Sequence, residues 1–187
     1  MAEGATPSDG GARFEGFVTV QRAAPRGMIT LRGDLASAPV AAAVRAAVGL
    51  EVPGQRQILS GGDGAVAWMS PDELLVMVPH AQAPDTAVVL RGALDGAFAT
   101  VADVSDARAV FTVQGALVDE ALMKLCPVDF AGLDAGELRR TRAAQIAAAL
   151  WRSGEDEVTL VCFRSVAEYA FALLCNAAAP GGEIGLR

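Results

Sequence analysis

The feature that most constrains this chain is an order of short apolar runs and turn signals that occurs twice, at an offset of roughly 80 residues. In the first pass, Met28-Ile29-Thr30-Leu31-Arg32 alternates apolar and polar side chains and stops at Gly33, the pattern of a strand ending in a turn. Ser37 stands where a helix N-cap would, Val40, Val44 and Val48 share one helical face, and Gly49 follows as a stop signal. Ile58-Leu59 and Ala65–Met69 flank the turn cluster Ser60-Gly61-Gly62-Asp63-Gly64 and predict a hairpin. Leu74–Val78 predicts a strand closed by Pro79. Leu90, Leu94 and Ala97 place a helix within Pro84–Phe98, and Thr100–Val104 predicts another strand.

The second pass replays this order. Val110-Phe111-Thr112-Val113 ends at Gly115, and Val118, Ala121, Leu122 and Leu125 form an amphipathic helical face ahead of Pro127. Ala143–Trp151 fits either state by length; it is assigned as a strand because its counterpart, ending at Trp68, reads as one. Ser153–Asp156 is a turn and Val158–Phe163 a strand. Ser165 and Glu168 make an S-x-x-E capping box before Val166, Tyr169, Ala170, Leu173, Leu174 and Ala177. The repeated strand–helix–strand–strand–helix order predicts an α+β protein. It would consist of two ferredoxin-like βαββα-type halves with antiparallel sheets and helices on one face. The expected division is a flexible leader over 1–13, a first half over 14–106 that opens with a strand in Phe14–Gln21, and a second half over 107–187, the halves packed as one compact unit.

Composition narrows the function. With 187 residues, 20% of them charged and 52% hydrophobic, the chain can bury a full core in one domain or two small ones. Its mean hydropathy of +0.36 implies more apolar surface than one core absorbs, which points to a partner. A net charge of −7 repels phosphate backbones, and Arg139, Arg140 and Arg142 make too short a basic run to offset it, so nucleic acid is excluded as a partner class. No run approaches the ~18 apolar residues of a membrane span, and Met1–Ala12 lacks the apolar stretch of a secretory signal. Cys126, Cys162 and Cys175 are odd in number and form no C-x-x-C pair, which argues against a disulfide framework or a zinc site. Buried thiols in a cytoplasmic protein are the expectation.

Little chemistry can be read directly. His80 is the only histidine, and it follows Pro79 at a strand end, so an exposed loop position is expected rather than the base of a triad or a metal ligand. The glycine cluster at Ser60–Gly64 looks like a phosphate cradle, but a cradle must open a helix and here a strand follows. Asp103, Ser105 and Asp106 can be read as acid–base carboxylates or as ordinary turn residues at the junction of the halves. Ser70-Pro71-Asp72-Glu73 has the makings of one helical turn. Arg139, Arg140 and Arg142 would alternate sides of an extended segment, solvating a face or meeting an acidic partner groove. No catalytic or metal residue is assigned, and no cofactor-binding residue is identified.

Several stretches together resemble the gamma subunit family of heterotetrameric sarcosine oxidase. They are Leu31-Arg32-Gly33-Asp34, Trp68-Met69-Ser70-Pro71-Asp72-Glu73-Leu74-Leu75, Val101–Ser105 running on to Gly115, Cys126-Pro127-Val128-Asp129, Thr141, Leu150-Trp151-Arg152 and Arg164-Ser165. The W-x-x-P-D-E-L-L and C-P-x-D stretches are the most distinctive, and the resemblance runs from near residue 28 onward; the leader shows no family pattern. It implies a fold similar to part of the folate-binding T-protein of glycine cleavage. It also implies a cytoplasmic complex with alpha, beta and delta subunits that oxidatively demethylates sarcosine to glycine, makes hydrogen peroxide and passes the one-carbon unit to tetrahydrofolate. FAD, FMN, NAD, tetrahydrofolate and zinc would sit on the other subunits, and this chain would carry no catalytic residue. Read without the resemblance, a stand-alone folate-binding domain, with Asp103 or Asp106 near the ligand, or a small regulatory ligand-binding domain remains an alternative.

Overall fold

Among the described residues the alternation of apolar side chains is realised in twelve strands and four helices. The structure, a computed structural model, describes residues 7–8 and 11–185. In chain order the strands are β1 (Pro7–Ser8), β2 (Gly11–Glu15), β3 (Thr19–Arg22), β4 (Arg26–Arg32), β5 (Ile58–Gly61), β6 (Gly64–Ser70), β7 (Glu73–Pro79), β8 (Thr100–Asp103), β9 (Arg108–Gln114), β10 (Leu138–Ala143), β11 (Ile146–Gly154) and β12 (Glu157–Phe163). The helices are α1 (Ala38–Val48), α2 (Ala83–Ala93), α3 (Val118–Met123) and α4 (Ala167–Ala177). They form two compact units. One runs continuously from Pro25 to Asp106; the other is split, joining the described residues up to Ala24 to those from Ala107 on.

In the continuous unit an antiparallel sheet has the order β5-β6-β7-β4-β8. Four of its strands, β6-β7-β4-β8, have the order of a ferredoxin-like βαββαβ unit, and β5 extends one edge as a hairpin with β6. Ile29 and Leu31 of β4 and Leu74, Val76 and Val78 of β7 lie two residues apart, so they face the same side of the sheet. There they form one core with Val40, Ala43 and Val44 of α1 and Ala87 and Leu90 of α2. On β7 the intervening Leu75 and Met77 are buried as well, which is why that strand reads as an unbroken apolar run. Helix α1 ends as its sequence dictates: Gly49 takes the left-handed conformation at φ 69° and donates its N–H to Arg45 O.

The split unit repeats this plan. Its antiparallel sheet runs β1-β2-β3-β9-β12-β11-β10, and Val20, Phe111, Val113, Leu150 and Leu160 meet Val118, Ala121 and Leu122 of α3 and Ala170 and Leu174 of α4. α2 starts at Ala83 and α4 at Ala167, 84 residues later. The two sheets and the one-sided helices give the α+β, antiparallel, ferredoxin-like fold that the repeat predicts.

Local expectations fail in instructive places. Residues 14–24, expected in the first half, belong to the split unit, because β3 pairs with β9 through Arg22 opposite Phe111. The expected strand in Phe14–Gln21 is a hairpin of β2 and β3. Part of the leader at 1–13 lies outside the described residues, but Pro7–Ser8 and Gly11–Arg13 are strand. Ala143–Trp151 is not one strand. Ala144, at φ 49°, turns the chain between β10 and β11. Ser70–Glu73 makes no helical turn; Pro71 and Asp72 are the two central residues of the β6–β7 hairpin, a place where a fixed proline φ is at home. The capping box also fails. α4 begins one residue after Val166 with no side-chain cap, and Glu168 instead reaches Arg22 at 2.6 Å.

Candidate functional site

The residues with reactive side chains are placed one by one by these elements; among them Asp103 and Ser105 are bonded, with His80 and Arg91 near enough to act on the Asp103 charge. His80 opens a single 3-10 turn (His80–Gln82) after β7 and is exposed. The Ser60–Gly64 cluster is the β5–β6 hairpin, with Gly61 opposite Gly64 and Gly62 at φ 55°. No helix begins there, so its amides have no dipole to assist anion binding.

Asp103 ends β8. Its Oδ1 accepts the backbone N–H of Ser105 at 3.0 Å and its hydroxyl at 2.5 Å, while the Ser105 oxygen accepts the N–H of Met28 at 2.9 Å. The Ser105 hydroxyl bond is the main reason the Asp103 carboxyl titrates below its ordinary value; burial opposes this, and His80 and Arg91 assist. A carboxylate held ionised in this way is a poor proton donor at neutral pH. Its geometry is that of an aspartate closing a turn onto β4.

Arg139, Arg140 and Arg142 lie in β10, opposite Leu150, Ala149 and Ala147 of β11. Arg139 pairs with Glu137, and Arg142 donates to the side-chain oxygen of Gln145 at 3.0 Å. Cys126 and Cys162 are buried as expected, but Cys175 is only half-buried, on the flank of α4. Burial pushes all three thiols up to about 11, which leaves them protonated and unreactive at neutral pH. Among the described residues no group of three or more His, Cys, Asp or Glu side chains is placed to hold a metal ion, and no helix is long and apolar enough to cross a membrane.

The best-organised polar centres are ones that sequence reasoning did not single out. Arg152, at the end of the β11 ladder, spans Asp119 of α3 with bonds of 2.9 and 3.0 Å, and the carbonyls of Leu133 at 3.1 Å and Phe130 at 3.2 Å. It thereby fixes the irregular 124–137 segment that contains Cys126–Asp129. In the continuous unit Arg32 reaches the buried Glu73 at 2.7 Å, directly across the β4–β7 ladder. A third centre, Glu120 on α3 and Lys124 just past its end, holds main-chain atoms of residues 177–185. Only the motif residues Arg32, Glu73 and Arg152 carried any signal in the sequence. Each of them is occupied in holding strand ends and loops.

Residues 32–180 match the model of the family described as sarcosine oxidase, gamma subunit family. The fold is similar to a chain of heterotetrameric sarcosine oxidase from Corynebacterium sp. U-96 in complex with pyrrole 2-carboxylate, at 28% identity and a TM-score of 0.80, covering 89% of this chain and 87% of that one. It is also similar to glycine cleavage system aminomethyltransferase T from Bartonella henselae, at 13% identity and a TM-score of 0.61, covering 83% of this chain but 44% of that one. The regulatory subunit of aspartate kinase from Thermus thermophilus shares the fold at 16% identity and a TM-score of 0.51. No curated protein sequence matches the chain.

Proposed function

The chain belongs to the sarcosine oxidase gamma subunit family, and from that premise we propose that it is a structural subunit of a heterotetrameric sarcosine oxidase with no active site of its own. The observation that carries this reading is the extent of the match, which covers 89% of this chain and 87% of a chain of heterotetrameric sarcosine oxidase. The residues support it. The side chains in the family-like stretches tie strands and loops together. Sarcosine oxidation to glycine, with hydrogen peroxide as co-product and transfer of the one-carbon unit to tetrahydrofolate, then falls to alpha, beta and delta partner subunits. Those partners would hold FAD, FMN, NAD, tetrahydrofolate and zinc, in the cytoplasm.

Co-expression of the chain with the other oxidase subunits, followed by native purification on a tag fused to this chain, tests the proposal. A flavin-coloured assembly that makes peroxide from sarcosine is expected, together with a colourless, inactive chain when it is expressed alone. Failure to join the assembly, or sarcosine turnover by the isolated chain, refutes the reading. Saturable tetrahydrofolate binding by the isolated chain would shift weight to a folate-binding domain, and a homodimer without other partners to a regulatory one.

A further inference from the structure

A ferredoxin-like sheet needs a strand on the far side of its first strand. In the continuous unit that strand is β8, which follows α2 through the loop between Ala93 and Thr100. In the split unit the equivalent place beside β9 is filled by β3, which comes earlier in the chain, so no loop links it to α4. A cluster of contacts centred on Lys124 occupies the position of the missing loop. Phe17, in the β2–β3 turn, donates its N–H to the Ala178 carbonyl at 3.0 Å, and an added Cβ on Gly16 would collide with that same oxygen. The Lys124 ammonium donates to the Ala177 carbonyl at 2.8 Å and to the Gly182 carbonyl, and it lies 4.8 Å from the centroid of the Phe17 ring. One turn back on α3, the buried Glu120 accepts the N–H groups of Ile184 and, at 2.8 Å, of Gly185.

The chemistry of this cluster is that of a main-chain clamp. An ammonium takes carbonyl oxygens, a carboxylate takes amides, and neither consults a side chain on the 177–185 segment. Lys124 alone touches both sides, with its charge over the Phe17 ring and its protons on the carbonyls beyond α4. We propose that Lys124 and the Ala178 carbonyl form a latch that makes the β2–β3 turn and the Ala178–Gly185 segment open and close as one element. A perturbation on either side is then felt on the other, since such coupling is reciprocal.

Amide hydrogen exchange on the full-length chain reads this directly, because local opening sets the exchange rate. Lys124→Met is expected to speed exchange about ten-fold at Phe14–Val20 and at Ala178–Gly185 together, the factor that loss of one charge-assisted hydrogen bond brings. Gly16→Ala, which pushes on Ala178 from the hairpin side, is expected to speed Ala178–Gly185 as well. Glu120→Ala, which releases the N–H groups of Ile184 and Gly185, should loosen that segment and, through the latch, the hairpin as well. The latch is refuted if Lys124→Met loosens the late segment while the hairpin keeps wild-type protection, or if the effect of Gly16→Ala stays within the hairpin. Should Lys124→Met not fold, Lys124→Arg and Gly16→Ala carry the test: the arginine keeps both sides protected, and the alanine loosens both.

Discussion

Replacing Arg152 with methionine keeps an aliphatic stem of similar length and removes the guanidinium. Its two bonds to Asp119 involve a carboxylate that is 37% exposed, so after screening they contribute no more than about 1 kcal/mol. The larger loss is at the carbonyls of Phe130 and Leu133, whose residues are 1% and 3% exposed. A buried carbonyl stripped of its donor costs about 1–3 kcal/mol, and partial entry of water past the exposed Ala131 and Gly132 relieves some of that. The sum is about 3 kcal/mol. For a chain of this size each kcal/mol moves Tm by about 2–4 °C, so a fall of about 6–12 °C is expected in the transition of the split unit. Thermal and urea unfolding followed by circular dichroism would measure it, with hydrogen exchange at residues 129–136 locating the loss. Arg152→Lys should recover less than half, because one ammonium cannot span Asp119 and two carbonyls. A methionine variant within about 1 kcal/mol of wild type, at unchanged m-value, would show that the 124–137 segment holds itself and that the Arg152 geometry contributes little.

Three further outcomes are expected. The thiols are raised from 9.0 to about 11 by burial, so the fold favours the protonated form; that contribution is complete below pH 9 and is lost as pH rises from 9 to about 11. Unfolding midpoints should fall across that window, and a thiol reagent at pH 8 should label the native chain slowly; rapid labelling of all three cysteines would contradict this. Gly49→Ala should destabilise by about 1 kcal/mol because φ 69° strains an L residue although its Cβ meets open space, and Gly49→Asn should cost less. Leu90→Ala, at a fully buried site, should cost about 2–5 kcal/mol, whereas Val88→Ala, 64% exposed two residues away, should stay within about 0.5 kcal/mol; equal effects would mean that α2 presents a different face.

The sequence made the repeat legible because most elements announce themselves locally: the alternation of β4, the glycine stops at Gly49 and Gly115, and the spacing of Val118, Ala121 and Leu122 all depend on near neighbours. What it hid depends on distant ones. Glu168 satisfies the capping-box pattern, yet Arg22, 146 residues away, claims the carboxylate. The tryptophans looked like counterparts, but Trp68 faces Leu74, the second residue of β7, and Trp151 faces Thr159, the third of β12. They are one residue out of step and point to opposite faces. Arg152, opposite Val158, is the true counterpart of Trp68, and both hairpins carry a bulge at that point. Nor does strand order reveal sheet membership, so β3 could not be assigned to β9 from its own residues. The polar centres at Arg152 and Lys124 stayed hidden for a related reason: their partners are main-chain carbonyls, which leave no mark in a sequence.

The pairing of β3 with β9 also orders events as the chain is made. Arg22 must wait for Phe111, which emerges 89 residues later, on the order of ten seconds at ordinary rates of synthesis. Pro25–Asp106 is made within that interval and is complete just before its end, while the early hairpin waits with one edge unpaired. Two short strands and a three-residue turn offer little to aggregate, which suits a segment that must be kept waiting.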